Sequence, residues 1–226
     1  MKEKIMIVGE PSKGKSACLR NLDHEKTLYI TATSKRPVPV KGLGDKFTRI
    51  DRKDLSKGNW MSLQDVMIKS PAGVWVSVLP KLFSVAKQRE MHTIVLDDFQ
   101  YILTRLEELL KSSGEFKDDR QIYKILKNFI IQTMGLLDEA SSNDIQPIII
   151  WQRVIGQDKL LIPGDYFHEQ TQPQGYFDII LEADTDGIEY VLKTNGRGME
   201  RSPMGMFDKD VLESDITKLL EQMYNY

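Results

Sequence analysis

Residues 9–16, with the sequence GEPSKGKS, match the pattern G-x-x-x-x-G-K-[ST] in full. An apolar run precedes the motif and helix-forming residues follow it, which is the context that supports such a match. The glycines let backbone N–H groups turn inward around phosphate oxygens, at a helix N-terminus whose dipole favours anions. In this chemistry Lys15 bridges the β- and γ-phosphates of ATP, and the Ser16 hydroxyl binds Mg²⁺. The motif predicts nucleotide contacts from Gly9, Glu10, Pro11, Ser12, Lys13, Gly14, Lys15, Ser16 and Ala17.

A second motif, TIVLDD, ends in the carboxylates Asp97 and Asp98. An apolar strand delivers them to the carboxyl-terminal edge of a sheet, where ligands bind in open α/β folds. Asp97 directly follows the apolar run and is assigned to Mg²⁺. Asp98 points to the other side of the strand and is assigned to polarising an attacking water. The alternative for the pair is a helix N-cap before Phe99, but the phosphate-loop motif upstream favours metal binding.

Polar residues after two later strands are further candidates. Gln152 follows the apolar run PIIIW, at the position of a γ-phosphate sensor, although an exposed glutamine after a strand is common. The segment KTNGRGMERSP contains Lys193, Arg197 and Arg201. As a cluster after a late strand, these side chains are candidates for a catalytic cation that reaches the nucleotide of a neighbouring subunit. The alternative is a solvated basic loop.

The spacing of apolar residues predicts the elements that position these groups. Strands are predicted at residues 4–8, 27–31, 46–50, 92–96 and 146–151, with a late hairpin at 177–183 and 188–193. Helices are predicted at residues 15–21, 74–89, 99–110, 122–140 and 209–224. This order predicts an α/β fold whose mainly parallel central sheet is flanked by helices and extended by the antiparallel hairpin. We expect one domain over 1–226, with a nucleotide-binding core at 1–156 and an extension of hairpin and C-terminal helix at 157–226.

The composition excludes several classes of protein. The chain has 226 residues, 41% hydrophobic and 28% charged, which excludes disordered, collagen-like and disulfide-scaffold classes. Its single cysteine, Cys18, cannot form an internal disulfide. No window approaches the roughly 18 apolar residues of a membrane helix, so we expect a soluble cytoplasmic protein without a membrane partner. The net charge of -2 gives no overall attraction to nucleic acid, so any DNA site must be local.

The two motifs and two further segments together resemble the ATP-binding proteins of bacteriophages that belong to the RecA-like P-loop ATPases. The resemblance is carried by GEPSKGKSACLRNLD, TLYITATSKRPVPVKG, IVLDDFQYIL, and FDIILEAD with YVLKTNGRGMERSPMGMF. It implies a RecA-like fold, ATP and Mg²⁺ as cofactors, assembly with copies of itself, and a role in DNA replication or recombination beside phage or host proteins in the host cytoplasm. It also implies phosphate and magnesium contacts from Gly14, Lys15 and Ser16, magnesium binding by Asp97, a γ-phosphate sensor at Gln152, and a trans cation at Lys193 or Arg197.

The sequence departs from this group at one functional position. RecA-type ATPases usually carry a catalytic glutamate shortly after the strand that follows the phosphate-loop helix, whereas residues 31–34 read TATS. Either Asp98 takes over that role or ATP turnover is slow.

Three functional classes remain open. The leading hypothesis is an oligomeric ATPase acting on DNA, and a second is a P-loop kinase. Such kinases need an arginine-bearing lid, and residues 111–120 contain only one arginine. The third is an adaptor, for instance a helicase loader, in which ATP controls partner binding with little turnover. In the leading hypothesis, single-stranded DNA contacts are assigned to Lys35, Arg36, Lys41 and Arg49, with Tyr166 and Phe167 as stacking platforms unless these two rings are ordinary loop packing.

Overall fold

The computed structural model describes residues 1–31, 44–50, 57–62, 67–69, 75–163, 172–185, 187–196 and 198–225. Its centre is an eight-stranded sheet, and β4 and β5 form a separate antiparallel pair. The described strands are β1 (Ile5–Gly9), β2 (Thr27–Thr31), β3 (Trp60–Ser62), β4 (Met67–Lys69), β5 (Trp75–Ser77), β6 (Thr93–Asp97), β7 (Gln146–Gln152), β8 (Ile179–Thr185), β9 (Tyr190–Lys193) and β10 (Val211–Glu213).

The order of strands across the sheet is β10-β9-β8-β1-β7-β6-β2-β3. The strands from β8 to β3 are parallel, whereas β9 and β10 run antiparallel at one edge. Strand β7 lies between β1 and β6, so Val8 pairs with Trp151 on one side and Leu96 pairs with Ile149 on the other. The carboxyl ends of β1, β6 and β7 therefore meet at one edge of the sheet. The predicted α/β architecture, mainly parallel with an antiparallel extension, is confirmed.

Helices cover both faces of the sheet, because successive side chains of a buried strand point in opposite directions and both sets are apolar. The described α-helices are α1 (Leu79–Gln88), α2 (Phe99–Ser112), α3 (Asp119–Ser142) and α4 (Ile216–Tyr224). Helices α1, α2 and α3 pack on the face that carries Val8 and Trp151, and α4 packs on the face that carries Ile7. In the described part of the chain, no helix combines the length and apolar content needed to cross a membrane.

The helix predicted at residues 15–21 is wrong. The segment forms a single 3-10 turn, Ala17–Leu19. Its polar side chains bond to the C-terminal part of the chain instead of continuing a helix: Asn21 Nδ2 donates to Asp215 Oδ2 at 2.6 Å. A macrodipole needs aligned peptide groups over several turns, so the expected dipole contribution to phosphate binding is largely missing. Anion binding at this loop depends instead on its backbone N–H groups and on Lys15.

The strand predicted at residues 46–50 is also wrong. The chain forms a 3-10 turn there, Gly44–Lys46, and reaches the sheet only through an isolated bridge at Arg49. Phe47 packs on the ring of Tyr29, with centroids 5.4 Å apart, rather than pairing in the sheet. Strand β3 occupies the place beside β2.

Two predicted helices begin later than expected. Helix α1 starts at Leu79 rather than at position 74, with Pro80 in the first turn, where the missing N–H breaks no helical hydrogen bond. Helix α4 starts at Ile216 rather than at position 209, and Asp215 caps it by accepting a hydrogen bond from the Thr217 N–H at 3.0 Å. The residues before each helix form the short strands β5 and β10. The helices predicted at 99–110 and 122–140 are confirmed as α2 and α3.

Candidate functional site

The phosphate loop connects β1 to the 3-10 turn, and its backbone is tightly curved. Ser12 and Gly14 have positive φ angles of 63° and 80°. Gly14 must lack a side chain, because a β-carbon there would lie 2.5 Å from Cγ of Tyr190. The loop borders a cavity of about 480 Å³, whose wall includes every loop residue from 11 to 17.

Lys15 is buried inside the loop, with only 8% of its surface exposed. Its Nζ donates hydrogen bonds to the backbone oxygens of Gly9 at 3.0 Å and Glu10 at 2.7 Å. Burial lowers the pKa of Lys15, and the negative charges of Asp98 and Asp97 oppose that shift. Both bonded partners of this ammonium are neutral, so an anion in the cavity gains a strong charge-assisted contact. Gly9 and Glu10 contribute to the site through their backbone carbonyl groups, which accept hydrogen bonds from Lys15.

Ser16 and Asp97 join the two motifs directly. The Ser16 hydroxyl donates to Asp97 and lies 3.2 and 3.0 Å from its two carboxylate oxygens. The Tyr29 hydroxyl donates to the same carboxylate. The register of the sheet explains this meeting, since Tyr29 pairs with Val95 across β2 and β6, and Asp97 shares the face of Val95.

The surroundings of Asp97 disfavour its negative charge. The residue is 2% exposed, and burial together with the charge of Asp98 raises the pKa of Asp97 well above its usual range. Hydrogen bonds from Tyr29 and Ser16 oppose this rise. Burial, with the carboxylate of Asp97, in turn raises the pKa of Tyr29. A carboxylate and a hydroxyl are the hard oxygen ligands that Mg²⁺ takes, and a cation here offsets the buried negative charge, so Ser16 and Asp97 fit Mg²⁺.

Asp98 follows β6 and lines the phosphate-loop cavity. Its backbone is left-handed, with φ 57° and ψ 46°, at the N-cap position of α2. The side chain makes no capping hydrogen bond to the helix, so the N-cap alternative does not describe what the carboxylate does. Instead Oδ1 accepts a hydrogen bond from Gln100 Nε2 at 3.1 Å. Left-handed residues other than glycine are uncommon and cluster at functional sites.

Gln152, the last residue of β7, also lines the cavity. Its Oε1 accepts a hydrogen bond from the Tyr101 hydroxyl at 3.3 Å, and its backbone N–H donates to Gln100 Oε1 at 3.0 Å. Residues from the first turn of α2 therefore hold the end of β7. The structure places Gln152 beside Asp98 in the same cavity wall, and its γ-phosphate role stays a prediction.

The hairpin of β8 and β9 forms a further wall of the cavity. Tyr190 packs over Gly14 and remains 47% exposed. Asp184 accepts from Lys193 Nζ at 2.6 Å and pairs with Lys13 Nζ at 2.8 Å. These two hydrogen bonds hold the pKa of Asp184 well below its usual range. The hairpin therefore contacts the phosphate loop of its own chain.

The three candidates for a trans cation differ in their surroundings. Lys193 is paired within its own chain, as described above. Arg201 Nη2 donates to the backbone oxygens of Gln174 at 2.7 Å and Phe177 at 2.6 Å, so it fastens the segment before β8. Arg197 lies outside the described residues. The trans role stays a prediction for Lys193 and Arg197.

Glu10 links the phosphate loop to the segment after β7. Its Oε1 accepts a hydrogen bond from the Gly156 N–H at 2.9 Å and lies 3.6 Å from Arg153 Nη2. The Gly156 bond, followed by the charge of Arg153, lowers the pKa of Glu10. Arg153 also pairs with Glu182 of β8 at 2.7 Å. The residues directly after Gln152 are thereby tied to the phosphate loop.

The predicted DNA contacts are not tested by the described residues. The guanidinium of Arg49 lies 5.8 Å from the ring centroid of Trp60, where it stacks on the edge of the sheet. The other candidates lie outside the described residues: Lys35, Arg36, Lys41, Tyr166 and Phe167.

Sequence reasoning missed several side chains that shape the site. The alternation in TLYIT, aligned with TIVLD, places Tyr29 on the face of Asp97 and is a signal that could have found it. Gln100 and Tyr101 follow Asp98 within one helical turn, so their proximity to the acidic pair could also have been inferred. Asp184 and Tyr190 left no comparable signal, because their approach to the phosphate loop depends on β8 pairing with β1.

Known proteins offer a structural similarity at low sequence identity. No protein-family model and no curated protein sequence matches this chain. Among solved structures, the chain is similar to the crystal structure of a KaiC-like protein from the hyperthermophilic archaeon Pyrococcus horikoshii OT3. The two are 14% identical with a TM-score of 0.43, over 93% of this chain and 88% of the other.

Proposed function

We propose that this protein binds ATP with Mg²⁺ in the phosphate-loop cavity and hydrolyses it to ADP and phosphate. The observation that carries the proposal is the hydrogen bond from Ser16 to Asp97, which brings together two motifs 81 residues apart in the chain. In phosphate-loop NTPases a hydroxyl and a carboxylate in these two motifs hold one magnesium ion. A buried lysine in the same loop, Lys15, supplies the cationic partner for phosphate oxygens.

Each side chain has a separate task in the proposed reaction. Lys15 neutralises charge on the β- and γ-phosphates, while Ser16 and Asp97 hold Mg²⁺, which supplies positive charge to the phosphate oxygens when bound. Asp98, which lines the cavity, orients the attacking water and accepts its proton. Gln152 contacts the γ-phosphate from the end of β7. Rate acceleration then comes from positioning and charge, as is general for phosphoryl transfer.

The proposal extends to assembly and DNA, where it is supported by the resemblance to RecA-like phage ATPases. Copies of the chain associate side by side, and Arg197 of one copy acts at the nucleotide of the next. The assembled ATPase acts on DNA in replication or recombination. With a net charge of -2, its DNA contacts are local rather than spread over the surface.

The test is ATP binding and hydrolysis by the parent chain, with and without Mg²⁺, beside Lys15→Ala and the control Lys87→Ala. Lys87 is an exposed lysine at the end of α1. Lys15→Ala should lower kcat by about 100-fold or more, since removing one preorganised donor from a developing oxyanion costs that much. The control should match the parent. Lys15→Ala with parental binding and turnover contradicts the assignment of the phosphate loop.

The same measurements separate the alternatives. Stimulation of hydrolysis by single-stranded DNA supports the DNA-acting ATPase. Tight Mg²⁺-dependent binding without turnover, with or without DNA, indicates the adaptor class, which the absence of a carboxylate at residues 31–34 makes a real competitor. Transfer of the γ-phosphate to a small-molecule acceptor indicates a kinase.

A further inference from the structure

Gln100 occupies a position between two groups of the proposed reaction. It is the second residue of α2 and is only 1% exposed. Its side chain reaches back to the carboxyl edge of the sheet, where Nε2 donates to Asp98 Oδ1 at 3.1 Å and Oε1 accepts from the Gln152 N–H at 3.0 Å. One buried amide therefore bridges the end of β6 and the end of β7.

The hydrogen-bonding chemistry of the Asp98 carboxylate and the Gln152 N–H explains why an amide side chain lies between them. A carboxylate oxygen only accepts a hydrogen bond, whereas a backbone N–H only donates one. The residue between them must donate at one end and accept at the other, and this requirement sets the orientation of the Gln100 amide. Leucine satisfies neither partner, and an ionised glutamate satisfies only Gln152. A buried polar group left without its partner is costly, so the bridge is constrained to this residue type.

We infer that Gln100 is a positioning residue that holds Asp98 and Gln152 in one fixed arrangement for hydrolysis. The inference rests on the proposed ATPase function and adds to it a residue that contacts neither phosphate nor metal in that proposal. Asp98 has a left-handed backbone and no capping bond, so Gln100 sets the direction of its carboxylate. The neighbouring Tyr101 hydroxyl holds the side chain of Gln152, while Gln100 holds its backbone.

The test compares steady-state hydrolysis by the parent, Gln100→Leu and Gln100→Glu. Gln100→Leu removes both hydrogen bonds, and the isosteric Gln100→Glu preserves the shape while placing a second carboxylate beside Asp98. Both should lower kcat by about tenfold to a hundredfold, the cost of misplacing a reacting group. KM and the affinity for a non-hydrolysable ATP analogue should stay within about twofold, because neither variant removes a group that contacts ATP or Mg²⁺ in the proposal. The control is Gln121→Leu, an exposed glutamine in α3 that should behave as the parent.

A second comparison separates positioning from a structural role. In an Asp98→Asn background the loss of kcat from Gln100→Leu should be at least about threefold smaller than in the parent, because directly bonded residues couple. A purely structural defect lowers turnover equally in both backgrounds and overturns the inference. Parental kcat in both Gln100 variants also overturns it. A parent chain without ATP turnover instead contradicts the proposed function, and the inference with it.

Discussion

The ring of Tyr190 lies directly over Gly14, so that a β-carbon at position 14 would approach Cγ of the ring to 2.5 Å. This contact makes β9 part of the wall of the phosphate-loop cavity, although Tyr190 lies 176 positions after the glycine in the chain. Gly14 also has a φ angle of 80°. The position excludes a side chain for two independent physical reasons, which substitutions can separate.

Gly14→Ala should destabilise the fold by more than the left-handed backbone alone accounts for. The backbone contributes about 1–2 kcal/mol, and the overlap with Tyr190 adds to it. Gly114→Ala is the matched control, because Gly114 has a φ angle of 68° and a β-carbon there would meet nothing within 4 Å. Adding Gly14→Ala to Tyr190→Gly, which removes Cβ as well as the ring, should lower the free energy of unfolding as little as the control does. Urea unfolding measures all four, and equal losses for Gly14→Ala and Gly114→Ala would contradict the steric contact.

Asp97→Asn and Asp98→Asn should have different effects. Asp97 bonds Ser16 and Tyr29 at the proposed magnesium position, so its replacement should weaken Mg²⁺-dependent ATP binding. Asp98 lines the cavity, and its replacement should lower kcat by about 100-fold or more while binding stays near that of the parent. Equilibrium titration with and without Mg²⁺, followed by turnover assays, distinguishes the two. Asp208→Asn, at an exposed position, is the control. Equal binding defects in both variants would show that the roles are divided wrongly.

Asp184→Asn should lower the free energy of unfolding at neutral pH by about 1 kcal/mol, since Lys13 and Lys193 both lose their counter-charge. The pKa of Asp184 is lower in the folded chain than its ordinary value of 3.8. Its contribution is therefore fully present above that value and is lost as the pH falls through the folded pKa. Urea unfolding at a series of pH values should show the difference between parent and variant shrinking in acid. A difference independent of pH would mean that the charge of Asp184 does not stabilise the loop.

Assembly should be visible as turnover per subunit that rises with protein concentration. Mixing Lys15→Ala with Arg197→Ala should restore part of the activity, because some interfaces then combine an intact phosphate loop with an intact arginine. Mixing Lys15→Ala with the double variant Lys15→Ala/Arg197→Ala is the control, since no interface there has an intact loop. Concentration-independent turnover, or no recovery despite confirmed co-assembly, would show that Arg197 acts within its own chain or not at all.

The strands were predictable where burial on both faces makes a run continuously apolar. This holds for β1, β2, β6 and β7, whose order along the chain also indicated a parallel sheet. Short strands at the edges were not predictable, because residues 75–77 and 211–213 resemble the first turn of the helices that follow them. The prediction of a helix after Ser16 is wrong because of a tertiary contact: Asn21 bonds to Asp215 instead of continuing a helix.

The residues of the candidate site likewise fall into those that local sequence patterns predict and those that depend on tertiary contacts. The motifs identify Lys15, Ser16 and Asp97 because local spacing is enough to specify a phosphate loop and an acidic strand end. The supporting side chains depend on which strands are neighbours. Tyr29 reaches Asp97 because β2 pairs with β6, and Tyr190 reaches Gly14 because β8 pairs with β1. No local sequence pattern specifies either pairing.

The pairing of β1 has a consequence for the order in which the protein folds. Both neighbours of β1 come from late in the chain, with Ile5 beside Ile148 on one side and Ile179 on the other. During synthesis, the phosphate loop therefore leaves the ribosome long before either of the strands that pair with β1. Closing such distant pairs is slow, and until then the unpaired backbone edges and the apolar side chains of β1 are open to other chains. The candidate nucleotide site is thus among the last parts of the molecule to form.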